Sequence, residues 1–232
     1  MSSLPETKVE KFTCRTKCRV LLDLNNLQFS RIYPKGQRID SSNYDPMPVW
    51  NCGCHMAAIN YQTPDRAMQT NGGRFMLNGG CGYVLQPKCM RHPKYDPYDK
   101  TTLTAVQPLT ISVAIIGARH LVKSGRGIAS PFVEVEVLGC SYDCNNKYKT
   151  GTIHDNGLNP VWNETCEFDI LNPEMALIRI VVQDEDMFGD PNFLGQATYP
   201  VVGLKTGYRS VALKNEYSEP LELASLLVHI EM

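Results

Sequence analysis

The chain has no apolar run approaching the ~20 residues needed to cross a bilayer. Its N-terminus, MSSLPETKVEKF, lacks the apolar centre of a secretory signal. A soluble cytosolic protein is therefore the expectation. Zinc-ligand spacing is missing as well. Cys14/Cys18, Cys52/Cys54 and Cys140/Cys144 are pairs, but none has the two-residue gap of a zinc knuckle, and no His pair follows. The nine cysteines are an odd number, which with no signal points to reduced thiols rather than a disulfide framework. No basic-aromatic surface of the nucleic-acid-binding kind can be read from the pattern, so no nucleic-acid partner is expected. There is no repeat and no low-complexity tract.

What is present is an ordinary globular composition, 43% hydrophobic and 20% charged. At 232 residues it has room for one large domain or two small ones. The net charge of −1 is unevenly divided. Residues 1–100 hold 14 Lys and Arg against 8 Asp and Glu, whereas residues 101–232 hold 9 against 16. Such asymmetry suggests two domains with different surfaces, the first suited to an anionic ligand or lipid surface. Ordinary surface charge would give the same count.

A boundary falls at HPKYDPYDKTTLTAVQP, residues 92–108, rich in Pro, Asp, Lys and Thr. Before it, Leu27–Tyr33, His55–Tyr61 and Gly82–Leu85 read as short strands, the last two nearly continuous in apolar character, as in strands buried on both faces. Residues 6–24 carry helical character. PDRAMQTNGGRF reads as a helix with Pro64 at its first position, broken at Gly72-Gly73. Strands separated by helical or irregular links suggest part of a parallel α/β structure. After the boundary, eight short segments follow, many alternating as in Phe132-Val133-Glu134-Val135-Glu136-Val137. They predict an antiparallel β-sandwich.

The most informative stretch is LQFSRIYPKGQRIDSSNY, residues 27–44, where a strand-like run delivers an arginine and a tyrosine to a Pro-Lys-Gly turn. With SSLPETK, INYQTPD and CGYVLQP in order around it, this resembles the Y half of the catalytic barrel of phosphoinositide-specific phospholipase C. The segments PFVEVEV, DEDMF, DPNFLGQATYPV and LELASLLV resemble the C2 domain that follows it, most closely in the gamma type. The resemblance implies an α/β plus all-β fold, the C-terminal half of a TIM-like barrel followed by an eight-stranded C2 β-sandwich. The expected division is residues 1–91 for the Y half, 92–105 for a linker and 106–232 for the C2 domain.

By the same resemblance, Arg31 contacts a phosphate on the inositol ring, Tyr33 packs on the ring, and Ser3 hydrogen-bonds a phosphate. The chemistry suits these roles. Guanidinium is a permanently charged fork for phosphate oxygens, and a hydroxyl can donate to one. Each residue also has an ordinary reading. Arg31 could be a solvated or salt-bridged residue, Tyr33 a rim or core aromatic, and Ser3 the cap of a box closed by Glu6. Where some family members carry a large apolar residue after the RIYP motif, this chain has Gln37 between Lys35 and Arg38. That turn suits anionic headgroups, or is simply a solvated basic turn.

The reaction that the resemblance implies is hydrolysis of phosphatidylinositol 4,5-bisphosphate to diacylglycerol and inositol trisphosphate, at the plasma membrane from the cytoplasmic side. It needs a general acid and base and a cation. In the family these are His residues and Ca²⁺ ligands of an X half, expected to be missing here. His55, His92, His120, His154 and His229 lie in no family catalytic motif and read as structural or surface residues. No catalytic residue is named in this chain. A half barrel has open edges and an uncovered apolar face, so residues 1–91 alone are expected to be unstable.

In the sandwich, KSGRGIASP, HDNGLNP and DEDMFGDPN correspond to the three loops at which C2 domains hold Ca²⁺. Asp184, Asp186 and Asp190 lie in the third, and Asp155 and Asn156 in the second. The first has Ser130 where calcium-binding members carry Asp, with Lys123 and Arg126 nearby, which should weaken affinity for an ion wanting 6–8 oxygen ligands. Trp162 is expected in the core. The alternative to a phospholipase fragment is a non-catalytic lipid- or protein-binding C2 module.

Overall fold

The computed structural model describes residues 1–123, 125–144, 147–186 and 189–232. The first third is built on a small parallel sheet of β1 (Ser2–Pro5), β2 (Ser30–Tyr33) and β3 (Met56–Ala57), in that order. Helices α1 (Glu6–Val9), α2 (Cys18–Leu27), α3 (Met47–Asn51) and α4 (Arg66–Arg74) connect and follow the strands. On α2, Cys18, Leu21, Leu22 and Asn25 recur at helical spacing and form its buried face. Ile32 of β2 is fully buried in the same core as Val9, Cys18, Leu21, Trp50 and Cys52.

Several local expectations are corrected. The third strand is only Met56–Ala57, because Asn60 leaves the ladder to exchange hydrogen bonds with Asn43 (Asn60 N to Asn43 Oδ1, 2.6 Å; Asn43 Nδ2 to Asn60 O, 3.1 Å). Gly82–Leu85 forms no strand: Gly79, Gly80 and Gly82 all have positive φ and turn the chain too tightly for a ladder. Asp65, not the residue before Pro64, caps α4, accepting from Met68 N at 3.0 Å. The helix continues through Gly72-Gly73 instead of breaking there. The reason is tertiary, since a Cβ at Gly73 would lie 2.5 Å from Thr198 Cγ2. The missing side chain lets the helix lie on the sheet below it.

The eight expected strands of the second part all form: β4 (Leu109–Arg119), β5 (Pro131–Leu138), β6 (Lys147–Lys149), β7 (Val161–Ile170), β8 (Leu177–Asp184), β9 (Asn192–Pro200), β10 (Gly207–Lys214) and β11 (Pro220–Glu231). Their order is β6-β5-β8-β9-β10-β11-β4-β7. A single registered pair, Lys214 with Gln196, joins β9 to β10. The strands thus divide into two antiparallel layers, with inward residues such as Ile111, Val113, Val133, Val135, Phe168, Ile180 and Leu226 between them. Trp162 is buried as expected, its Nε1 donating to Gly151 O at 3.0 Å.

The two parts share packing. Leu138 and Leu177 of the sandwich belong to the core beneath the parallel sheet. Tyr95, in the irregular stretch between the parts, is buried among Leu22, Cys89, Met90, Cys140 and Met175. Asn51 Nδ2 donates to Gly139 O at 2.9 Å. Arg74, itself buried, donates to Glu174 O at 3.1 Å. Across the outer face of the β5-β8 pair, Glu136 takes two bonds from Arg66 of α4 (Nε 3.1 Å, Nη2 3.0 Å) and one from Arg179 Nη1 at 2.5 Å. Arg179 Nε in turn donates to Gln69 Oε1 at 2.8 Å.

Candidate functional site

The parallel register sets Ser3 opposite Arg31 and Pro5 opposite Tyr33. Because side chains alternate along a strand, Ser3, Arg31 and Tyr33 point to one face while Leu4 and Ile32 point to the core. Met56 is in register with Arg31 and also exposed. The three residues singled out from the sequence are thus brought together. Arg31 Nη1 donates to Ser3 Oγ at 3.3 Å, and its guanidinium carbon lies 5.6 Å from the Tyr33 ring centroid. Among the described residues no carboxylate lies within ion-pair distance of Arg31. The result is an exposed cation beside a hydroxyl and an aromatic face, donors and surface that suit a phosphorylated ring.

Below this face the charges are paired. Glu6 is buried, and Arg38 Nε reaches its Oε2 at 2.9 Å and its Oε1 at 3.1 Å, with Lys35 Nζ 3.5 Å from Oε1. Burial would raise the Glu6 carboxyl, but the bonds and charge of Arg38 and Lys35 hold it below its usual range. One expectation is corrected here. Ser3 and Glu6 form no capping box: Ser3 lies in β1, Pro5 occupies the cap position of α1, and Glu6 turns to Arg38. In the Lys35–Arg38 turn both cations face the single Glu6 carboxylate, which offsets one of the two charges, and Arg38 also bonds Ser42 Oγ at 3.1 Å. Gln37 in this turn and Ile39 just after it are both exposed.

None of the histidines assembles with a second acid–base group at this face. His55 Nδ1 accepts from Ser30 N at 3.3 Å and its ring meets Phe29 edge-on at 4.7 Å. Burial lowers its pKa, which favours the neutral ring.

At one end of the sandwich Asp184 is fully buried. Its Oδ2 lies 2.6 Å from Lys123 Nζ and its Oδ1 accepts from Ser130 N at 2.6 Å. Asp186 and Asp190 are exposed. Ser124, Met187 and Phe188 of the first and third loops lie outside the described residues. Among the described residues no three His, Cys, Asp or Glu side chains stand close enough together to hold a metal ion. This donor set does not fit Ca²⁺ as it stands, because the one buried carboxylate already holds an ammonium.

Comparison with known proteins agrees in both parts. Residues 1–89 match the phosphatidylinositol-specific phospholipase C, Y domain, and residues 109–215 match the C2 domain. The chain is 54% identical over 233 residues to the 1-phosphatidylinositol 4,5-bisphosphate phosphodiesterase gamma-2 of Rattus norvegicus, covering 99% of this chain and 18% of that protein. It is 48% identical to the gamma plc-3 enzyme of Caenorhabditis elegans, over 100% of this chain and 17% of that one. The chain therefore spans less than a fifth of the length of these two curated relatives. Among solved structures, the PLC21 crystal structure from S. officinalis superposes with a TM-score of 0.87 at 39% identity, over 99% of this chain and 29% of that one.

Proposed function

Since the chain is a Y domain of the phosphatidylinositol-specific phospholipase C family joined to a C2 domain, similar to the gamma type, we propose that it holds the substrate phosphates in an enzyme that hydrolyses phosphatidylinositol 4,5-bisphosphate to diacylglycerol and inositol trisphosphate during signalling. The observation that carries this reading is the registered trio of Ser3, Arg31 and Tyr33 on one open face of the parallel sheet. Arg31, with no competing carboxylate, supplies positive charge to a ring phosphate; Ser3 supplies a second donor; Tyr33 supplies a flat apolar wall. General acid–base groups and the catalytic Ca²⁺ come from an X half outside these 232 residues, closing the barrel over that face.

Among the described residues no helix is long and apolar enough to cross a membrane. Because the proposed substrate is a membrane lipid, the working place is proposed as the surface of the plasma membrane, reached from the cytoplasm. The test is Ca²⁺-dependent hydrolysis of phosphatidylinositol 4,5-bisphosphate by this chain mixed with a matching X-half polypeptide. Activity in the mixture that is lost in Arg31→Ala supports the reading. Equal activity of Arg31→Ala and the parent would remove Arg31 from the site. A folded chain with no activity in the mixture would favour a non-catalytic binding module.

A further inference from the structure

Three loops meet at the end of the sandwich, and one residue ties them. Ser130, at the close of the first loop, donates its N–H to Asp184 Oδ1 at 2.6 Å and accepts from Glu185 N on its carbonyl at 3.0 Å. Its hydroxyl accepts from Asp155 N of the second loop at 3.1 Å. Lys123, also in the first loop, sets its ammonium 2.6 Å from the other Asp184 oxygen. The Asp184 side chain is 1% exposed and that of Lys123 25%. A buried carboxylate requires a counter-charge, and here the chain supplies it.

We propose that Lys123 is a built-in cation: its ammonium occupies the position at which this loop end would otherwise take a divalent metal ion, so the loops assemble without calcium. The chemistry of the donors favours this. A hard divalent ion needs oxygens and negative charge free to coordinate it, and the buried carboxylate at this end, Asp184, is already engaged by the ammonium. An ammonium 2.6 Å from that carboxylate excludes such an ion by repulsion and by occupancy. Ser130 suits the arrangement because its hydroxyl ties the second loop, accepting from Asp155 N, without adding the charge a carboxylate would bring.

The experiment is thermal unfolding of the full chain in EDTA and in 1 mM Ca²⁺, for the parent, Lys123→Met and Lys123→Met/Asp184→Asn. The parent should melt at the same temperature in both buffers. Lys123→Met, left with an unpaired buried carboxylate, should melt lower by about 5 °C or more in EDTA and recover on adding Ca²⁺. Where it fails to fold in EDTA, the readout is refolding on adding Ca²⁺. The double variant removes the charge as well as the ammonium; it should be folded in EDTA, melt above Lys123→Met there, and ignore Ca²⁺. Stabilisation of the parent by Ca²⁺ would overturn the proposal, as would a Lys123→Met variant that Ca²⁺ does not rescue.

Discussion

Glu136→Gln tests how much the charge cluster on the outer face of β5 and β8, beneath α4, contributes to stability. The carboxylate sits between two guanidiniums, bonded twice by Arg66 and once by Arg179. Its side chain is 15% exposed and that of Arg179 13%, whereas Arg66 is 49% exposed. Removing one partner of a buried pair costs ~3–5 kcal/mol, since the other charge is stranded. The half-exposed Arg66 recovers solvation and its share is discounted, which leaves roughly 2–3 kcal/mol, mostly from Arg179. The assay is urea unfolding followed by tryptophan fluorescence, with single-tryptophan versions that isolate Trp50 beneath the parallel sheet or Trp162 in the sandwich. In the parent both probes should report one midpoint; in Glu136→Gln both midpoints should fall. The pH dependence has a defined sign. Burial would raise the Glu136 carboxyl, but the bonds and charge of Arg66 and Arg179 hold it below its ordinary 4.5. Its contribution is therefore complete above pH 4.5 and is lost as pH falls through the depressed folded value. Arg179 is lowered by burial but stays charged at working pH. The glutamine variant should lack this acid-dependent component. A loss below about 0.5 kcal/mol, within the range of an ordinary surface change, would refute the argument.

Gly73→Ala gains roughly 1 kcal/mol of helix propensity but places a methyl 2.5 Å from Thr198 Cγ2 and 3.1 Å from Thr198 O. Overpacking of ~1–3 kcal/mol should win, giving a lower urea midpoint, and Gly73→Ala/Thr198→Ser should recover part of the loss. Arg31→Ala, at an exposed position, should change stability by less than about 0.5 kcal/mol while abolishing hydrolysis in the reconstituted mixture. Brief alkylation of the native chain, read by mass spectrometry, should label exposed Cys81, and Cys14, whose pKa is lowered chiefly by its bond with Thr16. Cys52, Cys140 and Cys166, buried and with pKa values pushed up, should react only on unfolding.

The sandwich was legible because alternation along β4 to β11 is a local pattern that burial on one face imposes directly. The candidate site was named from the resemblance of its motif, and alternation adds only that Arg31 and Tyr33, two apart on one strand, share a face. Ser3 joins them through register, which no local pattern announces. The helix through Gly72-Gly73 was hidden because the glycines answer to Thr198, more than a hundred residues away. Glu6 misled for a similar reason. Its spacing from Ser3 suits a cap, but its partner is Arg38 across the sheet. Lys123 could be placed with Ser130 in the first loop, yet only the folded chain shows which carboxylate it holds.

The shared packing under Leu138, Tyr95 and Leu177 bears on how such a chain can change over time. A sandwich that ends cleanly at a linker can be exchanged for any other sandwich. This one cannot, because its β5 and β8 ends carry side chains that complete a neighbour's interior. A replacement would have to bring a leucine to each of those ends and a carboxylate to the position of Glu136. The modular order written along the sequence is thus not modular in three dimensions, and the two parts are constrained to vary together.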